Sequence, residues 1–205
     1  MVKLALFDFD KTLYRYDCTQ RFYLFLIKSN LRFAAHMHIH LIAFIGWRLK
    51  LISTQKFKSI FLSYLTLTSP SQLQKYIDAF WDNHRKYFND NLVKEWKRLI
   101  NEGCRIIIIT ASPEILVKAA FINNNNLEII GTTLTFNENK LNMGINCKGY
   151  EKINRLNQQM KEPYRIVAAY SDSASDLPMM NLAEQGFWVR KNQLIPFIKQ
   201  NLNSI

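Results

Sequence analysis

The sequence predicts an α/β protein, a Rossmann-like open parallel sheet carrying an inserted all-helical cap. Two observations predict it. Three short apolar runs each end in a polar loop that opens a helix, which is how strands of a parallel sheet alternate with covering helices. Between the first and second of these runs, about ninety residues carry no comparable β pattern and read instead as helices rich in Leu, Ile, Phe and Tyr. A chain of 205 residues has room for one compact domain with such an insert, and a composition of 48% hydrophobic and 21% charged residues excludes disordered and fibrous classes.

Taken in order, Lys3 to Phe9 is the first strand, apolar beyond its first residue and ending among acids. The insert follows, with its boundaries placed at 14–89, leaving 1–13 and 90–205 as the core. Arg105 to Ile109 holds four consecutive isoleucines, β-branched toward both faces, as a central strand covered on both sides requires. Thr110-Ala111-Ser112-Pro113 ends it, with Ser112 as an expected cap and Pro113 in the first turn of a helix running to about Phe121. Arg165 to Tyr170 is the third strand, closed by Ser171-Asp172, and a helix is expected to start near Asp176 or Leu177. The run Asn123 to Asn126 is a short polar loop.

In sheets of this kind ligands sit beyond the carboxyl ends of the strands, so all three loops point to one crevice. The first loop, Asp8-Phe9-Asp10-Lys11-Thr12, brings two carboxylates that the strand period of two projects to one side. The third, Asp172-Ser173-Ala174-Ser175-Asp176, brings two more. Four acids in one crevice repel unless a cation joins them, and Mg²⁺ binds such sites through one or two carboxylates plus substrate phosphate. In the second loop Thr110 and the adjoining backbone N–H groups, beginning at Ala111, are placed to donate to phosphate oxygens. Lys152 adds a positive charge for the nucleophile and the transferring group. An anionic nucleophile, a cationic clamp and a metal together suit phosphoryl transfer.

The ordered set Asp8-x-Asp10-x-Thr12, Thr110, Lys152 and Asp172-x-x-x-Asp176 resembles the four motifs of the haloacid-dehalogenase-like superfamily, subfamily IB with a C1-type cap. The resemblance implies a phosphoric monoester hydrolase in which Asp8 forms an aspartyl-phosphate and Asp10 is its acid and base. It implies Mg²⁺ held by Asp8, the backbone carbonyl of Asp10 and Asp172, with Asp176 orienting the metal shell or Lys152. Lys148 competes for the lysine role; Lys152 is preferred because it opens a helical pattern, where the family places it. Lys11 stands where the superfamily commonly has Gly.

A narrower resemblance rests on Ile109-Thr110-Ala111-Ser112-Pro113, Gly149-Tyr150-Glu151-Lys152 and Tyr170-Ser171-Asp172-Ser173 with an early basic, apolar insert. These are similar to the bacterial phosphatidylglycerophosphatase C group, which implies a lipid phosphate as substrate. The alternative is a soluble phosphomonoesterase of the phosphoserine-phosphatase type; a third reading, a catalytically idle scaffold, is opposed by the intact acid set.

The net charge of +11 favours an anionic partner, and from Arg15 to Lys75 nine basic residues meet one acid, Asp17. With no recognised binding motif, nucleic acid is not expected. Phe33 to Ile52 is apolar, but His36, His38, His40, Arg48 and Lys50 disfavour a full membrane span. It reads equally as an interfacial helix on anionic lipid or as an ordinary cap helix. Of the three histidines only His36 and His40 share a helical face, and no acid completes a zinc set. Phe80-Trp81 and Tyr87-Phe88 read as cap core. Cys18, Cys104 and Cys147 lack disulfide or zinc spacing, and the N-terminus has no secretory signal. The expected location is therefore cytoplasmic, with peripheral contact at the cytoplasmic face of the inner membrane through the basic cap.

Overall fold

The computed structural model describes residues 1–122, 127–137 and 140–199. The polar loop read at Asn123 to Asn126 lies outside the described residues. The strands are β1 (Val2–Phe7), β2 (Arg105–Pro113), β3 (Leu127–Thr132), β4 (Leu134–Asn137), β5 (Lys140–Met143), β6 (Tyr164–Ser171), β7 (Gln185–Arg190) and β8 (Gln193–Phe197). Six of them form one sheet in the order β3-β2-β1-β6-β7-β8, parallel except for β8, while β4 and β5 pair as a separate antiparallel hairpin. This is the Rossmann-like α/β architecture the sequence predicts.

Alternation along the central strands shows why they sit inside. Ala5 and Phe7 of β1, with Ile106 and Ile108 of β2, enter the core cluster on one face, and Leu4, Leu6, Ile107 and Ile109 enter the cluster on the other. Each such fully buried aliphatic side chain contributes about 1.5–3 kcal/mol relative to exposure. The register sets Phe7 beside Ile108 on one flank and Tyr170 on the other, so the chain leaves β1, β2 and β6 at the same edge.

The strand ends differ from expectation in two places. β1 stops at Phe7, so Asp8 and Asp10 belong to the turn after it rather than to the strand. β2 runs on through Pro113, and the following helix begins only at Glu114. Pro113 occupies the cap position, where its ring offers no side-chain acceptor, and the Ser112 hydroxyl expected as the cap bonds Asp10 instead. Strands β3, β7 and β8 were not apparent from hydropathy: their faces are only half covered, and an unbroken apolar run is therefore absent.

The helices are α1 (Cys18–Ser29), α2 (Leu31–Ala35), α3 (Met37–Arg48), α4 (Thr54–Phe61), α5 (Pro70–His84), α6 (Asp90–Asn101), α7 (Glu114–Ala120), α8 (Tyr150–Gln159) and α9 (Leu177–Leu182). Helices α1 to α6 all lie between the first two strands, and the first five form one helical segment. Asp17, Ser53 and Ser69 cap α1, α4 and α5 by accepting from Gln20, Lys56 and Gln72 backbone N–H groups, and Pro70 opens α5. The chain leaves and re-enters this helical segment at a neck, where Tyr14 bridges Phe88 and the Asn89 N–H donates to the Leu13 carbonyl at 2.8 Å. No helix among the described residues is long and apolar enough to cross a membrane.

Aromatic packing ties the helices to the sheet. Phe9 lies with its ring centroid 5.9 Å from both Trp81 and Phe121, and Tyr14 lies 5.3 Å from Trp81. Trp81 is fully buried and its indole N–H donates to the Leu116 carbonyl at 2.7 Å. Truncation to Ala removes this volume and the indole hydrogen bond. Trp81→Ala is expected to lower stability by about 3–5 kcal/mol, read as a lower urea midpoint; a loss below about 1 kcal/mol would show that the helices do not depend on this contact.

Candidate active site

The acids gather where β1, β6 and α8 meet. Asp8 follows β1 directly, its N–H donating to the Tyr170 carbonyl of β6 at 2.9 Å. Its Oδ1 accepts from Lys152 Nζ at 2.6 Å, and Lys152 also donates to Asp176 Oδ2 at 2.7 Å. All three side chains are buried. Lys152 reaches them from the first turn of α8, which Gly149 starts at φ 64° and ψ −129°, a backbone conformation open essentially to Gly. Lys148 lines the same cavity, but it is Lys152 that meets Asp8.

Burial works to neutralise Lys152, yet the charges of Asp8 and Asp176 outweigh it and hold the ammonium well above its ordinary range. Burial also lifts the Asp8 carboxyl to about 7, against the pull of that ammonium. Asp176 Oδ2 accepts from Ser171 Oγ at 2.7 Å as well, and its Oδ1 accepts from Ser175 Oγ at 3.5 Å. Asp176 is in contact with Lys152, one of the two partners expected for it.

Asp10 has a different setting. Its Oδ1 accepts from the Cys18 N–H at the start of α1 at 2.7 Å, and its Oδ2 from Ser112 Oγ at 2.5 Å. Since the single Ser112 proton goes to Asp10, Thr19 Oγ1, 3.0 Å from Ser112 Oγ, donates to Ser112 in turn. Burial pushes the Asp10 carboxyl up to about 6, with Asp17 adding to the rise and the Cys18 and Ser112 hydrogen bonds opposing it. Thr12 Oγ1 stands between two further acids, 3.2 Å from Asp8 Oδ2 and 3.5 Å from Asp172 Oδ1, and accepts from the Asp172 N–H at 3.0 Å. Lys11 takes φ 57°, the left-handed region that favours glycine and costs other residues about 1 kcal/mol.

Thr110 is fully buried, and its hydroxyl oxygen accepts from the Ser112 N–H at 3.0 Å. Ala111 and Ser112 reach the cavity itself. Sequence reasoning placed Ser112 as a helix cap and did not single out Lys58, whose ammonium, from α4, donates to the Ala111 carbonyl and to Asn146 Oδ1. No local pattern marks Lys58, because its partners lie more than fifty residues away.

No three His, Cys, Asp or Glu side chains among the described residues form a closed metal cage. The donor set nevertheless fits Mg²⁺, which takes few protein carboxylates. Asp8 and Asp172 flank one threonine hydroxyl, and burial raises the carboxyls of both.

The cavity over these residues has a volume of about 1140 Å³. Its floor holds Asp8, Asp10, Lys152 and Asp172; its far wall, from α1, α3 and α4, is Tyr23, Phe44, Trp47, Phe57 and Phe61.

Residues 5–181 match the haloacid dehalogenase-like hydrolase family. Protein CicA of Caulobacter vibrioides is 31% identical over 98 residues, covering 45% of this chain and 44% of that protein, so the match spans less than half of the relative's length. Among solved structures, a protein of unknown function from Bordetella pertussis Tohama I superposes with a TM-score of 0.73 at 19% identity, covering 92% of this chain and 90% of that one. A phosphoserine phosphohydrolase-like protein from Francisella tularensis subsp. tularensis SCHU S4 gives 0.62 at 15% identity, covering 93% and 88%. At such identities these two likenesses are of fold.

Replacing Lys152 by Met strands two buried carboxylates. Lys152→Met is expected to cost about 3–5 kcal/mol of stability near neutral pH. An unpartnered buried carboxyl has a folded pKa above its unfolded value, so the folded form binds more protons and stability falls as pH rises. Urea titrations of the variant should therefore show part of the loss recovered in mildly acidic buffer. A loss independent of pH would contradict the charge arrangement.

Proposed function

The chain belongs to the haloacid dehalogenase-like hydrolase family, and we propose that it is a Mg²⁺-dependent phosphomonoesterase acting through an aspartyl-phosphate at Asp8. The observation that carries this reading is the contrast between the partners of its two central carboxyls: Asp8 is clamped to a buried ammonium at 2.6 Å, whereas Asp10 is held by neutral donors, the Cys18 N–H and the Ser112 hydroxyl. Environments that differ in this way divide nucleophile from proton carrier.

In the first half-reaction the Asp8 carboxylate attacks phosphorus, an O–P bond forms, and the bond to the leaving oxygen breaks. Asp10 delivers its proton to that oxygen, releasing an alcohol. In the second, Asp10 takes a proton from water as the water attacks phosphorus, and phosphate leaves Asp8. Lys152 steadies Asp8 and the charge on the transferring group, with Asp176 positioning the lysine. Ala111, which reaches the cavity at the end of β2, would present its backbone N–H to the phosphate oxygens, the Ser112 N–H being held by the buried Thr110 hydroxyl. Asp8 and Asp172, with the Asp10 carbonyl, would hold Mg²⁺, which supplies positive charge to the acids and phosphate oxygens and keeps Asp8 ionised.

The substrate reading is a phosphatidylglycerophosphatase C-like lipid phosphatase at the cytoplasmic face of the inner membrane. Three features support it: the segment resemblance, the basic insert, and the aromatic wall of the cavity. On α3, Leu41, Ile42 and Ile45 are at least half exposed, as an interfacial helix on anionic lipid requires. A soluble phosphoserine-type enzyme would call for a polar wall at that place.

Asp8→Asn is expected to reduce turnover to background while leaving the unfolding midpoint nearly unchanged, and Asp10→Asn to slow it about 10²- to 10⁴-fold; near-normal phosphate release by Asp8→Asn contradicts the mechanism. A panel of phosphatidylglycerophosphate, phosphatidic acid, phosphoserine and sugar phosphates, with Mg²⁺ or EDTA and with or without anionic vesicles, tests the substrate. Mg²⁺-dependent release is expected from phosphatidylglycerophosphate, enhanced by vesicles. Activity on soluble esters with none on that lipid overturns the lipid reading and leaves the phosphatase reading standing.

A further inference from the structure

His40 is the one member of the histidine trio left without a polar partner. His36 Nε2 lies 3.0 Å from Ser63 Oγ, and the exposed His38 places Nδ1 2.7 Å from the Ala35 carbonyl. The two nitrogens of His40, by contrast, have no hydrogen-bond partner among the described residues, although the residue is only 6% exposed. Its ring packs among aromatic rings, with centroids 4.9 Å from Tyr23 and 5.2 Å from Phe61. Buried unpaired donors and acceptors lower stability, so a retained one invites a partner from outside the chain.

The place of His40 indicates what that partner is. His40 lines the cavity whose floor is Asp8 and Asp10, and Tyr23 and Phe61 line the same wall. Burial, with smaller contributions from His36 and His38, holds the imidazole down at about 4, so it is neutral and presents one N–H donor and one acceptor. A cation is thus not what an anionic headgroup would meet here. If the phosphate of a lipid sits on Asp8, the chain-bearing part of its leaving group lies along the aromatic wall. The glycerol hydroxyl and phosphodiester of that leaving group lie between the reacting phosphate and the chains, so in the diacylglycerol part beyond them the polar atoms are the ester oxygens.

Resting on the lipid reading above, we propose that His40 donates a hydrogen bond to an ester carbonyl of the leaving group, and is a specificity-determining residue that selects acyl over alkyl lipid phosphates. The bond forms in an enclosure of low dielectric, where an unmatched donor is costly and a matched one counts. An ether-linked lipid has the same shape and charge but no carbonyl, and leaves His40 unpaired.

The test compares kcat/KM for diacyl and dialkyl phosphatidylglycerophosphate in detergent mixed micelles, for the wild-type chain, His40→Phe and His40→Gln. The wild type is expected to prefer the diacyl form about five- to ten-fold, the scale of one neutral hydrogen bond. His40→Phe should bring the ratio close to one, and His40→Gln, which keeps a donor, should retain part of it. The ligand-free His40→Phe chain should also melt about 2–4 °C higher, because two orphaned buried atoms are gone. A wild-type ratio near one, or a preference that survives His40→Phe, overturns the assignment while hydrolysis of both lipids leaves the lipid reading intact. Hydrolysis of phosphoserine with neither lipid attacked overturns both together.

Discussion

The site is organised around one buried ammonium. Lys152 joins Asp8 at the end of β1 to Asp176 after β6, and it does so from the first turn of α8. Three chain segments far apart in sequence must therefore arrive within a few ångströms. Such an arrangement is a poor way to stabilise a fold, since desolvating charges is costly and an apolar cluster of similar volume does as well or better. Its neighbours carry conformations that serve it: Gly149 in a glycine-only region launches α8, and Lys11 in the left-handed region turns the chain from Asp10 toward Thr12. Strain of this kind collects where geometry matters to chemistry.

Around that ammonium the parallel sheet and the inserted helices divide the work. The sheet supplies the charged floor, because the register of β1, β2 and β6 makes all three end at one edge. The inserted helices supply the aromatic wall and also reach into the floor: Thr19 of α1 hydrogen-bonds Ser112, which bonds Asp10, and Lys58 of α4 bonds the Ala111 carbonyl. The proton carrier of the proposed mechanism is thus held by both parts, whereas the nucleophile is held by the sheet side alone.

What could be read from the sequence follows the same division. Asp8, Asp10, Asp172 and Asp176 were legible because each follows an apolar run that can only be a buried strand, and Lys152 because it opens a helical pattern. Ser112 was visible as a residue but not in its contact, since local capping rules favoured a helix start that β2 overrides by running on to Pro113. Lys58 left no trace in local pattern, and His40 was visible only as one of three histidines, because their surroundings are made by partners from other elements. β3, β7 and β8 escaped for a related reason: their half-covered faces do not produce continuous hydropathy.

The proposed mechanism requires a covalent bond between Asp8 and the phosphoryl group. Acid-quenching the enzyme during turnover of a phosphomonoester, reducing it with borohydride and sequencing the peptides by mass spectrometry tests that requirement directly. Homoserine is expected at position 8, the product of a reduced aspartyl-phosphate, present only when substrate and Mg²⁺ were both supplied. Turnover with Asp8 unmodified, or with the phosphoryl group recovered on another side chain, would contradict it.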